Sequence, residues 1–219
     1  MITKGWTTTA AGIILAAVVA APVHAGELEA GVLREVNLAR TSPQTYAERL
    51  RQYRTWFEGR TVSIPGVPDR ILTREGVAAV DEAIRFLERQ QPLPPLQSDS
   101  TLALAARDWV AVQGPRGGRG HFSPDRRGPG ERVIARGGDK YVAENIAYGS
   151  NQADLVVLQL IVDDGVADRG HRSTVYSSSL AYAGAACGDH TIYRWMCVID
   201  YSAYPKGTYP TKLSARGLR

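Results

Sequence analysis

Residues that bind metals or act as nucleophiles are scarce in this sequence, which has four histidines and two cysteines among 219 residues. It contains no His-Glu-x-x-His zinc motif, no Gly-x-Ser-x-Gly nucleophile elbow, no phosphate-binding loop and no dinucleotide fingerprint. These absences argue against the common zinc peptidases, the α/β-hydrolases and nucleotide-dependent enzymes. The chain also lacks internal repeats and linker-like segments, and its length suffices for one domain with a substantial core.

The charge is modestly basic, with a formal net charge of +4 and a pI near 9.2. No basic helix and no set of stacking aromatic residues accompanies it, so we expect no nucleic acid partner. Weak attraction to acidic surfaces or glycans remains compatible with this charge. Segment 114–138 is rich in glycine and proline and contains six arginines. It predicts either a solvated loop or a rim that attracts an anionic ligand.

The first 25 residues have the pattern of a secretory signal peptide. Lys4 supplies a positive charge, Ala10 to Ala21 form an apolar run, and small residues precede a cleavage site at Ala25. The run is shorter than the roughly 20 residues that span a bilayer. We therefore expect a mature domain over residues 26–219 that is periplasmic or secreted and has no stable membrane anchor.

Export makes a disulfide between Cys187 and Cys197 the expected state of both cysteines. A tight two-residue turn at Asp189 and His190 would place the two cysteines on opposite faces of a hairpin. The bridge therefore requires a bulge or a longer turn centred near Ile192. With both thiols oxidised, a thiolate nucleophile is not expected.

Apolar residues recur at helical spacing through much of the mature chain. The predicted helices are 28–40, 43–53, 73–91, a helix capped by Ser98 or Asp99, and 153–164. Segment 141–150 is predicted as a short helical turn, and segments 180–188 and 192–202 as strands joined by a hairpin. This order predicts an α+β fold with helices packed on a small antiparallel sheet.

Two histidines and three carboxylates are the candidate site residues. His121 and His171 each follow a glycine, Glu144 lies among small and apolar residues, and Asp163 and Asp164 end the most apolar helix. Carboxylates in such surroundings are costly to bury unless they are paired or bind a metal.

These residues are compatible with three kinds of site. Two imidazoles with one or two carboxylates can hold zinc, and the same groups can act as general acids and bases. Alternatively, Asp163 and His171 form a structural network at a helix end, with Arg172 as the salt-bridge partner of the acid. A serine triad of Ser123, His171 and Asp163 can be drawn, but nothing in the sequence positions the serine.

The order of several motifs resembles that of a known family. In chain order they are an Asn-x-x-Arg helix (Asn37 and Arg40), an Ala-x-x-Trp helix (Ala106 and Trp109), a lone Gly-His (His121), the segment ENIAYG (144–149), the segment GHR (170–172) and a hairpin. This order resembles the CAP superfamily, also called the SCP or cysteine-rich secretory, antigen 5 and pathogenesis-related-1 domain, and most of all its bacterial exported branch. The resemblance covers Leu28 to Tyr201.

The resemblance implies a three-layer α-β-α sandwich with a cleft that holds two histidines and two acids. Carried over by motif, the metal-binding or catalytic set is His121, Glu144, His171 and Asp163, with Asp164 as the other candidate for the second acid. Many relatives have a tryptophan where this chain has Leu160 and a glutamate at the place of Asp163. The shorter aspartate leaves the metal affinity of the site open.

The resemblance favours an extracytoplasmic binding or interaction module over an enzyme. Its cleft would hold a divalent metal, zinc first, and its surface would engage a lipid, a glycan or a protein. The alternative is a peptidase-like or esterase-like hydrolase in which Glu144 or Asp163 acts as the general base. A third possibility is an interaction domain whose cleft has lost its activity.

Overall fold

The computed structural model describes residues 25–209, and the predicted signal peptide lies outside them apart from its last residue. Within this range the chain forms seven helices and seven strands, in the order α1 (Ala25–Thr41), α2 (Pro43–Arg54), β1 (Phe57–Glu58), β2 (Thr61–Val62), β3 (Ile71–Leu72), α3 (Val77–Arg89), β4 (Gln97–Ser98), α4 (Ser100–Arg116), α5 (Pro129–Ala135), β5 (Ala143–Tyr148), α6 (Ala153–Val162), α7 (Gly170–Val175), β6 (Tyr182–His190) and β7 (Arg194–Ser202). Among these helices, none combines the length and apolar character that a bilayer-spanning segment requires.

The central sheet has four strands in the order β4-β6-β7-β5. Its three long strands are antiparallel, and of these the β6–β7 hairpin was predicted, while the two-residue β4 pairs in parallel with β6. Strands β1, β2 and β3 form a separate small antiparallel sheet. Strands β5 and β3 each lie at an edge of their sheet.

Helices cover both faces of the central sheet, which confirms the predicted three-layer α+β arrangement. Alternate residues of β7 divide between the two sides because successive side chains of a strand point to opposite faces. Cys197, Ile199 and Tyr201 join the larger core, which contains α1, α2, α3 and α6. Met196 and Val198 pack on the other side, against α4.

The β6–β7 hairpin carries the predicted disulfide. Cys187 lies opposite Cys197 in the register, their Cα atoms are 4.1 Å apart, and the two sulfurs are bonded. The turn joins His190 to Arg194 and is centred on Ile192. This longer turn is one of the two geometries under which the sequence allows the bridge.

Two local predictions were wrong. Segment 143–148 forms a strand rather than a helical turn, because all six residues pair with β7; long-range pairing decides strand formation more than local propensity does. Helix α3 starts at Val77 rather than Thr73. Its N-cap, Gly76, has a φ of 65°, and the Thr73 hydroxyl instead donates to the carbonyl of Arg60.

The Asn-x-x-Arg motif on α1 is structural. The buried Arg40 guanidinium donates to the carbonyls of Pro94, before β4, of Val175, the last residue of α7, and of Ser177 and Leu180, which follow α7. Backbone carbonyls buried away from water need such donors. Arg40 therefore fixes the chain that follows α7, the helix that begins with the GHR segment.

Candidate functional site

Asp163 ends the buried helix α6 in a left-handed conformation, with a φ of 54°. Its buried carboxylate accepts hydrogen bonds from the backbone N–H groups of His171 (2.9 Å) and Arg172 (3.4 Å). The other carboxylate oxygen lies 2.6 Å from Nδ1 of His171. Asp163 therefore both holds the start of α7 and orients the His171 ring, because an ionised carboxylate can only accept.

Two arginines hold the turn between α6 and α7. Arg169 donates to both carboxylate oxygens of Glu75 at 2.7 Å and to the carbonyl of Asp163. This guanidinium lowers the pKa of Glu75 to about 2. Arg172 pairs with Glu82 rather than with Asp163 and stacks over the Phe86 ring.

Asp164 turns away from His171. Its carboxylate accepts from the backbone N–H groups of Arg74 (2.7 Å) and Glu75 (2.8 Å), just before α3. In the structure, Asp163 is therefore the acid that pairs with the second histidine, and Asp164 ties the same turn to the start of α3.

The first histidine forms a second pair with the predicted glutamate. Nδ1 of His121 lies 2.8 Å from a carboxylate oxygen of Glu144, whose other oxygen contacts Arg132. The Glu144 side chain is only 1% exposed. Arg132 stacks on Trp109 and donates to the carbonyl of His121. The Ala-x-x-Trp motif therefore supports this pair through Arg132.

A third acid, Asp200, lies beside Glu144 and was not found by sequence reasoning. The two residues are opposite each other on β7 and β5. Asp200 is fully buried, and neither carboxylate oxygen accepts a hydrogen bond from a donor group among residues 25–209. Burial, followed by the charge of Glu144, raises the pKa of Asp200 well above its usual range. The only sequence signal is a single acid inside an apolar strand.

The two histidine–acid pairs approach β5 from opposite faces. Glu144 belongs to the α4 face, whereas the amide of Asn145 donates to the carbonyl of His171 (3.0 Å) and lies near the Tyr201 hydroxyl on the α6 face. Consecutive strand residues point to opposite faces. The edge strand β5 thus lies between the pairs.

The predicted four-ligand metal centre does not form in the described part of the chain. Within residues 25–209 no three histidine, cysteine, aspartate or glutamate side chains converge as metal ligands would. Each carboxylate is already engaged, Glu144 with Arg132 and Asp163 with two backbone N–H groups. The residues present therefore do not fit a metal held by all four, and zinc binding stays a prediction.

His190, the third histidine of the predicted mature chain, is structural. Its Nδ1 accepts from the N–H groups of Ile192 (3.2 Å) and Tyr193 (3.1 Å), and its Nε2 lies 2.8 Å from the carbonyl of Gly118. It fixes the hairpin turn against the loop after α4. In that loop, Arg119 lies over the rings of Tyr148 and Tyr193.

A groove of about 840 Å³ opens beside the Asp163–His171 pair. We call it the His171 groove; its lining includes Leu72, Ile146, Tyr148, Asp163, His171 and Ile192. His121 and Glu144 are not among its lining residues. Three apolar side chains at its wall are exposed to solvent, by 39% for Ile71, 71% for Leu72 and 66% for Ile192. Exposed apolar side chains gathered around a concave polar site are typical of binding surfaces.

Three solved structures are similar to the chain. An outer surface protein of Borrelia burgdorferi is 18% identical with a TM-score of 0.41, over 50% of this chain and 77% of that one. An extracellular SCP-domain protein of Bacillus anthracis is 18% identical with a TM-score of 0.41, over 58% and 38%. A cysteine-rich secretory protein of Staphylococcus aureus is 15% identical with a TM-score of 0.34, over 57% and 37%.

The comparison with a protein family covers more of the chain than the solved structures do. No curated protein shows significant similarity to the chain. The model of the cysteine-rich secretory protein family, named CAP, matches residues 33–201. The match includes both histidine–acid pairs, the helix motifs and the disulfide-linked hairpin. The chain therefore belongs to the cysteine-rich secretory protein family, the CAP family.

Proposed function

We propose that this CAP-family protein is exported and binds a ligand in the His171 groove. The observation that carries the proposal is the combination, in one concave site, of exposed Ile71, Leu72 and Ile192 with the oriented imidazole of His171. Ligand sites are commonly apolar clefts of about 300–1,000 Å³ with a few fixed polar groups. The groove has this size and composition.

Export is supported by two independent features of the chain. Residues 1–25 have the charge, apolar run and cleavage residues of a signal peptide. The disulfide between Cys187 and Cys197 is of the kind that persists in oxidising compartments. A periplasmic or secreted location accounts for both.

The Asp163–His171 pair supplies the fixed polar group of the groove. With Nδ1 engaged by Asp163, the ring has one tautomer and one orientation, and Nε2 has no hydrogen-bond partner within residues 25–209. A ligand can therefore exchange a hydrogen bond with Nε2. Binding of this kind needs no metal ion.

Zinc binding is tested separately from ligand binding. Metal analysis of untagged wild type and of a His121→Ala/His171→Ala variant compares their divalent metal content. A higher content in wild type would support the metal prediction. Equal contents would remove it and leave the groove proposal untouched.

The alternative function is hydrolysis in the same groove, and one observation favours it. An imidazole oriented by a buried carboxylate is the arrangement that general bases use to activate water or a nucleophile. Glu144 is a poor candidate base, because its oxygens contact His121 and Arg132. In this alternative the base is His171, positioned by Asp163. Turnover of peptide or ester substrates that His171→Ala leaves unchanged would exclude it.

Binding is tested with three panels of probes: a random peptide library, phospholipid vesicles and soluble glycans. The groove variant is Ile192→Asp, and the control is Leu104→Asp, which changes a 39% exposed leucine on α4, outside the groove. We expect one panel to bind wild type and the control, and to bind the groove variant at least about tenfold more weakly. Equal binding to both variants, or no binding to any panel, would contradict the proposal.

A further inference from the structure

Within residues 25–209, the edge of β5 that faces away from β7 carries backbone groups without hydrogen-bond partners. The N–H of Gly149 donates to the carbonyl of Trp195 (2.9 Å), directly across the ladder from it. Antiparallel ladders alternate between bonded and non-bonded pairs. Ala147 therefore bonds to β7, whereas the N–H and C=O groups of Ile146 and Tyr148 point away from β7, towards the edge.

The disulfide supports this register independently. The Cα separation of 4.1 Å between Cys187 and Cys197 is typical of a non-bonded pair between β6 and β7. The backbone groups of Cys197 must then face β5, where its partner is Ala147. Both observations assign the outward-facing positions to Ile146 and Tyr148.

A second free edge lines the same groove. The N–H of Thr73 donates to the carbonyl of Arg60 (2.8 Å). These two residues form the next opposing pair along the β2–β3 ladder after Leu72 and Thr61. By the same alternation, the backbone groups of Leu72 point away from β2. Leu72, Ile146 and Tyr148 all line the His171 groove. In the described part of the chain, no other strand pairs with either edge.

We infer that the ligand of the His171 groove is an extended peptide that pairs with β5 as an additional strand; this rests on the proposed function. Free strand edges are templates for such pairing. An alkyl chain in the same place would remove water from the N–H and C=O groups of Ile146 and Tyr148 without replacing their hydrogen bonds, which costs free energy. A peptide backbone satisfies these groups.

The side chains around the groove define the peptide further. Ile71, Leu72 and Ile192 form an apolar wall for alternate side chains of a strand. At the end near Tyr148, the exposed Arg119 guanidinium lies 5.6 Å from the ring centre of Tyr148 and 5.4 Å from that of Tyr193. Within residues 25–209 it pairs with no acid. The peptide class that fits has alternating apolar residues and a carboxylate near Arg119.

The test uses the mature full-length protein and a library of random seven-residue peptides. The tightest peptide is remade in two forms, N-methylated at its odd or at its even positions. We expect one form to lose at least about tenfold in affinity and the other to bind nearly as before, since alternate N–H groups of a strand face the partner. Equal losses in both forms, or none, would overturn strand pairing.

Side-chain recognition has its own controls. Replacing the acidic residue of the peptide by its amide should weaken binding to wild type by several-fold, and should have no effect on Arg119→Gln. The matched control Arg116→Gln should behave as wild type. An acid-to-amide loss that persists in Arg119→Gln would overturn the assignment of Arg119.

The effect of Ile192→Asp on the three panels distinguishes a groove that binds something other than a peptide from a groove that binds nothing. If vesicles or glycans bind in a way that Ile192→Asp weakens, and no peptide does, the ligand is not a peptide although the groove binds. If no probe responds to Ile192→Asp, the groove is not a binding site at all. Selected peptides that Ile192→Asp weakens would support both.

Discussion

Glu144 on β5 and Asp200 on β7 lie directly opposite each other, and both side chains are buried on the α4 face of the sheet. Arg132 and His121 both contact Glu144, whereas neither carboxylate oxygen of Asp200 accepts a hydrogen bond from a donor group in the described range. One positive guanidinium cannot compensate two adjacent buried carboxylates, so we expect Asp200 to hold a proton at a pH where an exposed aspartate is ionised.

This proton predicts how stability changes with pH. The folded pKa of Asp200 is raised by burial, whereas its unfolded pKa is about 3.9. Its stabilising contribution is therefore complete below about pH 4 and is lost as the pH rises towards the folded pKa. Asp200→Asn keeps a neutral side chain at every pH. We expect wild type to lose about 1.4 kcal/mol per pH unit relative to this variant in that window.

Urea denaturation at pH 4, 6 and 8 measures this difference. The matched control is Asp154→Asn, which changes an exposed aspartate on α6. Its unfolding free energy should follow that of wild type across the range. If the unfolding free energies of wild type and Asp200→Asn change in parallel with pH, Asp200 does not hold a proton.

The burial of α6 predicts a large effect of Leu160→Asp. Leu160 is almost inaccessible to solvent, so the substitution places an unpaired charge in the larger core. We expect a loss of more than about 3 kcal/mol in the free energy of unfolding, measured by denaturation. Leu104→Asp on the exposed side of α4 should cost far less. A cooperative melt of Leu160→Asp at the wild-type temperature would contradict the burial of α6.

Asp163 and His171 should contribute differently to the stability of the fold. Asp163→Ala leaves the backbone N–H groups of His171 and Arg172 without their acceptor, which costs about 1–3 kcal/mol. His171→Ala removes a partly exposed ring and should cost less than about 1 kcal/mol. Chemical denaturation of both variants shows which of them loses more unfolding free energy. The opposite order would mean that His171, rather than Asp163, maintains the turn.

The five longer helices, α1 to α4 and α6, could be predicted from the sequence because their apolar periodicity is local, whereas the short helices α5 and α7 were not predicted. The strand nature of β5 could not, since Ala143 to Tyr148 are held by pairing with residues 48 to 58 positions away along the chain. The pairing of His171 with Asp163 was already suggested by their closeness in sequence, whereas that of His121 with Glu144 was accessible only through the family resemblance. Residue spacing alone left a zinc site, an acid–base site and a structural network all open, and favoured the structural network.

Other features of the site depend on packing that no local pattern records. Arg172 follows a buried acid in sequence but pairs with Glu82 on α3, because the turn after α6 packs against that helix. Asp200 is a single acid within an apolar strand, and its importance comes from the register with Glu144. The separation of the two pairs by β5 follows from strand alternation, which the sequence prediction missed when it read β5 as helical.

The most direct test of the account is a nuclear magnetic resonance titration of the mature protein with the peptide selected by the library. If the peptide pairs with β5, the largest shifts map to Leu72, Ile192 and His171, and the amides of Ile146 and Tyr148 become protected from exchange while that of Ala147 changes little. Shifts confined to α4 and α5, or protection that does not alternate along β5, would contradict it.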